Sequence, residues 1–222
     1  MNLSIIIPVL NEEKTIIKTI NNVLRQKDVG EIIIVDDGST DKTPKILREL
    51  KNSKIKVFTH PQNRGKGAAL RTALKAVSKD YILPQDADLE YNPNQIGLLM
   101  KIVSPDTAVY GSRTLGKNKS AYIRTYLGNI LVTGVFNILY KRRLTDSYTC
   151  YKLIPKKILH GLNLDSDGFE IEAEITAKLA KKGVKIVEVP IQYSPRKYEQ
   201  GKKIKASDAF KGVLKYLTLR FS

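Results

Sequence analysis

Two aspartates one residue apart, Asp86 and Asp88, stand in the segment DADLE at 86–90, directly after a short apolar run. Carboxylates at this spacing suit a hard cation, because residues two apart in extended chain point to the same side. The pair can hold one Mg²⁺ or Mn²⁺ and leave coordination positions open for diphosphate oxygens. An Asp-x-Asp alone is weak evidence. Two more acidic clusters strengthen it: PVLNEE at 8–13 and DDGSTD at 36–41, each again following an apolar, β-branched run. Unpaired carboxylates brought together repel and raise one another's pKa, so their convergence implies a compensating cation or a hydrogen-bonding ligand. One carboxylate at the end of the second run suits a base or ribose hydroxyl, whereas Thr40 and Asp41 read as turn and cap chemistry. A cationic counterpart lies in NRGKGAALRTAL at 63–74, where Lys66 and the start of a helix offer positive potential to a phosphate. A dinucleotide fingerprint does not fit there, since Gly65 and Gly67 lack a third glycine and the turn follows the third strand.

The elements that must position these groups alternate. Strands are expected at 3–9 and 31–36, flanking a helix with Ile16, Ile17, Ile20, Val23 and Leu24 on one face and Asn11 as N-cap. Thr43 and Pro44 open a second helix as N-cap and first residue. A strand at 55–59, a helix over 67–77 and a strand at 81–84 follow. This is the pattern of an α/β fold with a mostly parallel central sheet and flanking helices, whose ligands bind beyond the carboxyl ends of the strands. The second half reads as a strand at 108–111, a basic loop, helices over 127–140 and 170–181, the latter closed by Gly183, and a strand at 184–193. With no repeat and no Pro, Gly or Ser linker, one domain over 1–222 is expected, with a nucleotide-sugar half at 1–105 and an acceptor half at 106–222.

The 38 Lys and Arg against 22 Asp and Glu leave a formal charge of +16 across 222 residues, which implies polyanionic surroundings or a Lys-rich thermophile-type surface. Nucleic acid is disfavoured, because no helix-turn-helix, zinc-knuckle or RNP-type pattern occurs. Cys150 is the only cysteine, excluding an intrachain disulfide, and the N-terminus shows no signal-peptide pattern, so a cytoplasmic protein is expected. The run at 3–9 is too short to span a bilayer.

PVLNEE, VDDGSTDKT, NRGKGAAL, DADLEY and GSR, in this order, resemble the family 2 glycosyltransferases of GT-A fold, and among them the polyprenyl-phosphate sugar synthases of the dolichol-phosphate mannose synthase type. The resemblance covers essentially the whole chain. It implies that Pro8, Leu10, Glu12, Val35, Asp37, Lys66 and Ala87 line the nucleotide pocket and that Asp86, Asp88 and Glu90 hold the metal and diphosphate. Processive members of the wider family carry a Gln-x-x-Arg-Trp motif, and this chain has no tryptophan, which favours addition of a single sugar. The subfamily's Arg followed by Gly-x-Ser-Lys corresponds to Arg196, Gly201, Lys202 and Lys203, with Lys202 in place of the serine.

The implied reaction moves one hexose from a UDP- or GDP-sugar to a polyprenyl phosphate, with inversion, at the cytoplasmic face of an anionic membrane. The acceptor phosphate is already anionic near neutral pH, so orientation and leaving-group stabilisation matter more than a general base. Asp88, Arg113, Arg124, Arg196 and Lys203 are the expected catalytic set, the three arginines gripping the acceptor phosphate by forked hydrogen bonds. An amphipathic stretch near 126–140 carries Leu127, Ile130, Leu131, Val135, Ile138 and Leu139 on one face, widened by Val132 and Phe136. That leaves Asn129, Thr133 and Asn137 as a polar stripe, with Lys141, Arg142 and Arg143 at the end. The pattern suits an interfacial helix as well as a core helix, and the resemblance favours the lipid-facing reading. A family 2 enzyme acting on a sugar hydroxyl would need a base, for which Asp146 is the candidate; a non-catalytic basic nucleotide- or membrane-binding protein is the third reading. The acidic residues of FEIEAE at 169–174 suit a helix dipole without a catalytic role, and His60 and His160 are expected to be structural.

Overall fold

The computed structural model describes residues 2–116, 118, 123–196 and 206–222, with only the backbone of 123–126 and 206 inside their helices. Strand β1 (Leu3–Val9) and strand β2 (Val29–Asp36) are apolar on both faces and almost wholly buried, as strands covered by helices on each side must be. Helix α1 (Ile16–Leu24) joins them and buries Ile16, Thr19, Ile20 and Val23, one stripe at helical spacing. The first half continues with α2 (Thr43–Arg48), β3 (Ile55–Thr59), α3 (Lys66–Leu74), β4 (Tyr81–Pro84) and α4 (Ile96–Met100). The second half holds β5 (Thr107–Ser112), α5 (Ile123–Tyr140), β6 (Lys152–Pro155), α6 (Lys156–His160), α7 (Ile171–Lys181), β7 (Lys185–Pro190) and α8 (Ala206–Phe221).

Seven strands form one sheet in the order β3-β2-β1-β4-β6-β5-β7. All neighbours are parallel except β6, which runs antiparallel to both β4 and β5. The chain winds outward from β1 through β2 to β3 and then returns to place β4 on the other side of β1. The order therefore reverses between β1 and β4, a switch point where connections leave a crevice at the carboxyl ends. One core cluster lies on the α1 and α4 face, with Ile5, Ile7 and Leu83; the other lies under α3, α6 and α7, with Ile6, Ile33 and Ile82. A third cluster packs Phe136 of α5 and Tyr216 of α8 against Ala173 and Ala177 of α7.

Several expectations need correction. Asn11 does not cap α1, which starts after Thr15; it adopts φ 50° and its Oδ1 accepts the Thr40 N–H at 2.7 Å, tying the loop after β1 to the loop after β2. Thr43 is the first residue of α2 rather than its cap, and Asp41 accepts its N–H at 2.8 Å. The strand expected at 184–193 stops at Pro190, which has no N–H to continue a ladder. Strand β6 and helices α4, α6 and α8 were not expected. Among the described residues, no helix is long and apolar enough to cross a membrane.

Candidate active site

A cavity opens at the switch point. Its walls come from Pro8 in β1, Leu10 and Glu12 after it, Asp37 after β2, Gly65 and Lys66 at the start of α3, and Asp86 to Asp88 with Glu90 and Tyr91 after β4. The second half closes it with Arg113, Tyr148, Cys150, Phe169, Glu172, Tyr193 and Arg196. The three acidic segments thus share one rim, as their positions after strands required.

The acidic loop after β4 is held from beneath. The Gln85 N–H donates to the Ile6 carbonyl at 2.8 Å, continuing the β1 ladder by one residue. The buried Gln85 side chain donates to the carbonyls of Asp86 and Tyr91 and accepts the Tyr151 hydroxyl at 2.6 Å. Leu89 takes φ 66°, turning the chain so that the Glu90 N–H meets Asp88 Oδ1 at 3.1 Å. Tyr91 stacks on Tyr151 with centroids 4.9 Å apart. Asp86 and Asp88 are therefore displayed on a braced turn whose own hydrogen bonds are largely satisfied.

Their charges are balanced by cations from elsewhere in the chain. Lys66 Nζ lies 2.8 Å from Asp86 and 3.1 Å from Glu172 Oε1. Glu172 Oε2 meets Lys152, whose side chain is wholly buried. Arg196 reaches Glu12 at 3.0 Å and Asp88 at 3.1 Å. Burial would raise the Asp86 carboxyl, but Lys66 draws it below the usual range. Asp88 behaves oppositely: burial, then the neighbouring Asp86 and Glu90 charges, push it up to about 7 against the pull of Arg196.

The expected metal set is only partly assembled. Asp86 turns to Lys66 and Asp88 to Arg196, while Glu90 accepts the Arg196 N–H at 2.8 Å and the Tyr193 hydroxyl. Glu90 thus fastens the 193–196 segment. Among the described residues, no three His, Cys, Asp or Glu side chains converge as a ligand cluster. The oxygen chemistry nonetheless fits a hard divalent ion at Asp86 and Asp88, because Asp88 carries a surplus of negative neighbours that a cation would relieve.

Other expected residues also fall into place or out of it. Val35 is fully buried in the core between β2 and α3 and does not reach the cavity. Asp37 does, but its carboxylate is engaged by the chain: Oδ1 meets His60 Nδ1 at 2.6 Å and the Arg64 N–H, and Oδ2 accepts the Gly65 N–H at 2.8 Å. It shapes the loop before α3, with His60 in a structural part. The α3 N-terminus offers less to a phosphate than expected, since the Gly67 and Ala68 N–H groups donate to the Asp167 carbonyl at 2.7 and 3.1 Å. Gly67 permits this approach: a Cβ there would stand 2.3 Å from the Ser166 carbonyl oxygen. Lys66 carries the positive potential instead.

Arg113 faces the cavity with its fork occupied. Its Nε and Nη2 each donate to Asp146 at 2.8 Å, its N–H donates at 2.9 Å, and its guanidinium lies 5.3 Å over the Tyr193 ring. Asp146 is fully buried, and although burial works against its charge, Arg113 holds it below the usual carboxylate range. It cannot accept a proton from a substrate hydroxyl while so enclosed. The Arg124 side chain and the whole of Gly201, Lys202 and Lys203 lie outside the described residues. Glu172, which the sequence reading assigned to the helix dipole, is a cavity residue with an ion-pair partner on each oxygen. Its place in the first turn of an acidic helix masked it.

Comparison with known proteins agrees with this architecture. The family model described as glycosyl transferase family 2 matches residues 4–161. A UDP-N-acetylglucosamine–dolichyl-phosphate N-acetylglucosaminyltransferase of Methanococcus voltae is 30% identical over 239 residues, covering 97% of this chain and 95% of the relative. A dolichol-phosphate mannosyltransferase of Pyrococcus furiosus is 30% identical over 206 residues, 88% of this chain and 57% of the relative. The chain spans about half, 49%, of the Haloferax volcanii hexosyltransferase Agl6, to which it is 30% identical. Among solved structures, Mycobacterium tuberculosis glucosyl-3-phosphoglycerate synthase with Mn²⁺, UDP and glucosyl-3-phosphoglycerate superposes with a TM-score of 0.76 at 19% identity, covering 99% of this chain and 80% of that one. With a family model over most of its length and the GT-A sheet beneath its cavity, the chain belongs to glycosyl transferase family 2.

Proposed function

We propose that the protein transfers one hexose from a UDP- or GDP-sugar to a polyprenyl phosphate, by single displacement with inversion, at the cytoplasmic face of an anionic membrane. The observation that carries this reading is the apolar row that α5 leaves exposed beside the cavity, although Val132 and Phe136 on its other side are buried in the core. Its polar stripe faces inward, with Thr133 bonded to Ser147 at 3.1 Å and Asn137 to both backbone groups of Leu144. Four of its apolar residues face out: Leu127 is 55%, Ile130 43%, Leu131 63% and Ile138 81% exposed. Helix α8 adds Phe210 at 65% and Phe221 at 80%. Scattered apolar residues are ordinary on a surface, but a row on two packed helices in a protein of charge +16 suits a lipid interface. The two helices also adjoin the cavity, since Tyr148 in its wall donates to the Asp208 carbonyl of α8 at 3.2 Å.

The interior chemistry supports a phosphate acceptor. Asp146, the candidate base for a hydroxyl acceptor, is consumed by Arg113, whereas a phosphate monoester needs no base. Lys66 and Arg196 stand ready to meet donor and acceptor oxygens once their carboxylate partners turn to other cations. Asp86 and Asp88 would hold a divalent ion, Mg²⁺ or Mn²⁺, whose charge would compensate that of the departing nucleotide diphosphate. The names of the Methanococcus and Pyrococcus relatives include dolichyl or dolichol phosphate, which supports the acceptor class. Cys150, free and buried beside Asp86, is at home in a reducing compartment.

The test presents labelled UDP- and GDP-sugars with a short polyprenyl phosphate or the matching free polyprenol, with and without chelator, and reads label in the organic phase. Transfer to the phosphate alone, lost with chelator, is expected. Equal transfer to the free alcohol would refute the phosphate-nucleophile reading. Flotation with neutral and anionic vesicles tests the surface: binding to anionic vesicles that weakens with salt is expected, and Ile138→Ser with Phe221→Ser should reduce it without lowering Tm.

A further inference from the structure

Lys152 is a costly residue where it stands. It lies on β6 in the middle of the sheet, wholly buried, with its Nζ against Glu172 Oε2 and the Thr149 carbonyl and 5.3 Å from the Tyr110 ring centroid. A buried ion pair seldom stabilises a fold better than apolar side chains of the same volume. The pair does, however, touch the cavity. The other oxygen of Glu172 holds Lys66, the cation nearest Asp86.

We propose that Lys152 is a positioning residue for the donor diphosphate, which neutralises Glu172 so that Glu172 can orient Lys66 without cancelling its charge. The inference rests on the donor reading given above. The four groups Lys66, Lys152, Asp86 and Glu172 sum to zero as the structure stands. When Asp86 serves a divalent ion, the remaining three leave one net positive charge, and Lys66 is the cation among them that faces the cavity. Without Lys152, Lys66 and Glu172 would form a spent pair with nothing left for the diphosphate. The buried lysine thus acts on the ligand at one remove, through a carboxylate that it does not share with solvent. A unit charge in a partly dry cavity is worth on the order of tenfold or more in affinity for a diphosphate.

The test is calorimetric titration of the intact protein with UDP and GDP in Mn²⁺, and with uridine and guanosine as ligands lacking the diphosphate. Lys152→Met should weaken whichever nucleoside diphosphate the wild type binds by about tenfold or more, with nucleoside affinity unchanged. Adding Glu172→Gln to it should restore the diphosphate affinity. A purely structural lysine would instead lower Tm and weaken both ligand classes alike, without rescue by the second substitution, and that result would overturn the inference. Should Lys152→Met be too unstable to titrate, Glu172→Gln alone carries the test. It keeps an oxygen for Lys66 and removes a negative charge, so diphosphate affinity should hold or tighten; weakening overturns the proposal. A wild type that binds neither UDP nor GDP refutes the donor reading and this inference with it, whereas wild-type binding that is indifferent to Lys152→Met refutes the inference alone.

Discussion

Replacing Asp146 separates a structural carboxylate from a catalytic base. Asp146 receives three hydrogen bonds from Arg113, one from its N–H and two from its fork, in a place without solvent. Asp146→Ala would leave the Arg113 guanidinium, mostly buried and otherwise bound only to Asn129 Oδ1 at 3.2 Å and stacked over Tyr193, without its carboxylate, a change that typically costs about 3–5 kcal/mol. For a chain of this size each kcal/mol moves Tm by about 2–4 °C, so a fall of about 6–20 °C is expected. Asp146→Asn, which keeps an acceptor but not the charge, should fall toward the lower end. The double change Arg113→Met with Asp146→Leu should recover at least half of the loss, because the two desolvation penalties vanish together. Urea unfolding of the three variants, run beside the transfer assay, gives the answer. If Asp146→Asn unfolds within about 0.5 kcal/mol of the wild type while transfer drops by about a thousandfold, Asp146 is a proton acceptor and the structural account is wrong.

Gly67→Ala should destabilise by about 1–3 kcal/mol or more, since its Cβ would meet backbone at 2.3 Å and neither strand of that contact can yield cheaply; unfolding free energy unchanged by the substitution would refute the close packing. Glu31 gives a pH prediction. Burial alone would raise its carboxyl, but hydrogen bonds from Ser4, Ser78 and Lys56 bring it down from 4.5 to about 2. A lowered folded value stabilises above the unfolded pKa and is lost as pH falls. Glu31→Gln should therefore cost about 1–3 kcal/mol at pH 6, with the gap to wild type closing between pH 4.5 and 2, as thermal unfolding over that range would show.

The first half was legible because its signals are local. Buried parallel strands announce themselves as unbroken apolar runs, as in LSIIIPV, and polar residues at their ends fall on a common rim by topology alone. The second half depends on pairings distant in sequence. Thr133 and Asn137 read only as part of a polar stripe, yet they satisfy Ser147 and Leu144 across a turn that no spacing reveals. Strand β6 is four residues long and opens on a buried lysine, so neither alternation nor apolarity marks it. Helix α8 did carry a signal, with Phe210, Val213, Leu214 and Leu217 at helical spacing after Asp208, but the basic segment before it drew attention to phosphate contacts. Val35, implied by resemblance as a pocket residue, lies in the core between β2 and α3, and because β2 is buried along almost its whole length its apolar run does not mark which positions border the cavity.

The seam between the loop at Gly65 and Gly67 and the loop at Ser166 and Asp167 bears on how the cavity breathes. At its centre it is main chain against main chain, with two N–H groups of α3 donating to one carbonyl, and the Arg71–Asp167 ion pair flanks it. A joint of that kind has no rotamers to exchange and so no low-energy path to part. Ligands must then enter and leave where the walls are fastened by side chains that can swap partners, as on the flank where Arg196 reaches Glu12 and Asp88. The two flanks of the crevice thus differ in stiffness. On the stiff flank, the spacing between the start of α3 and the loop before α7 is set by main chain rather than by side chains.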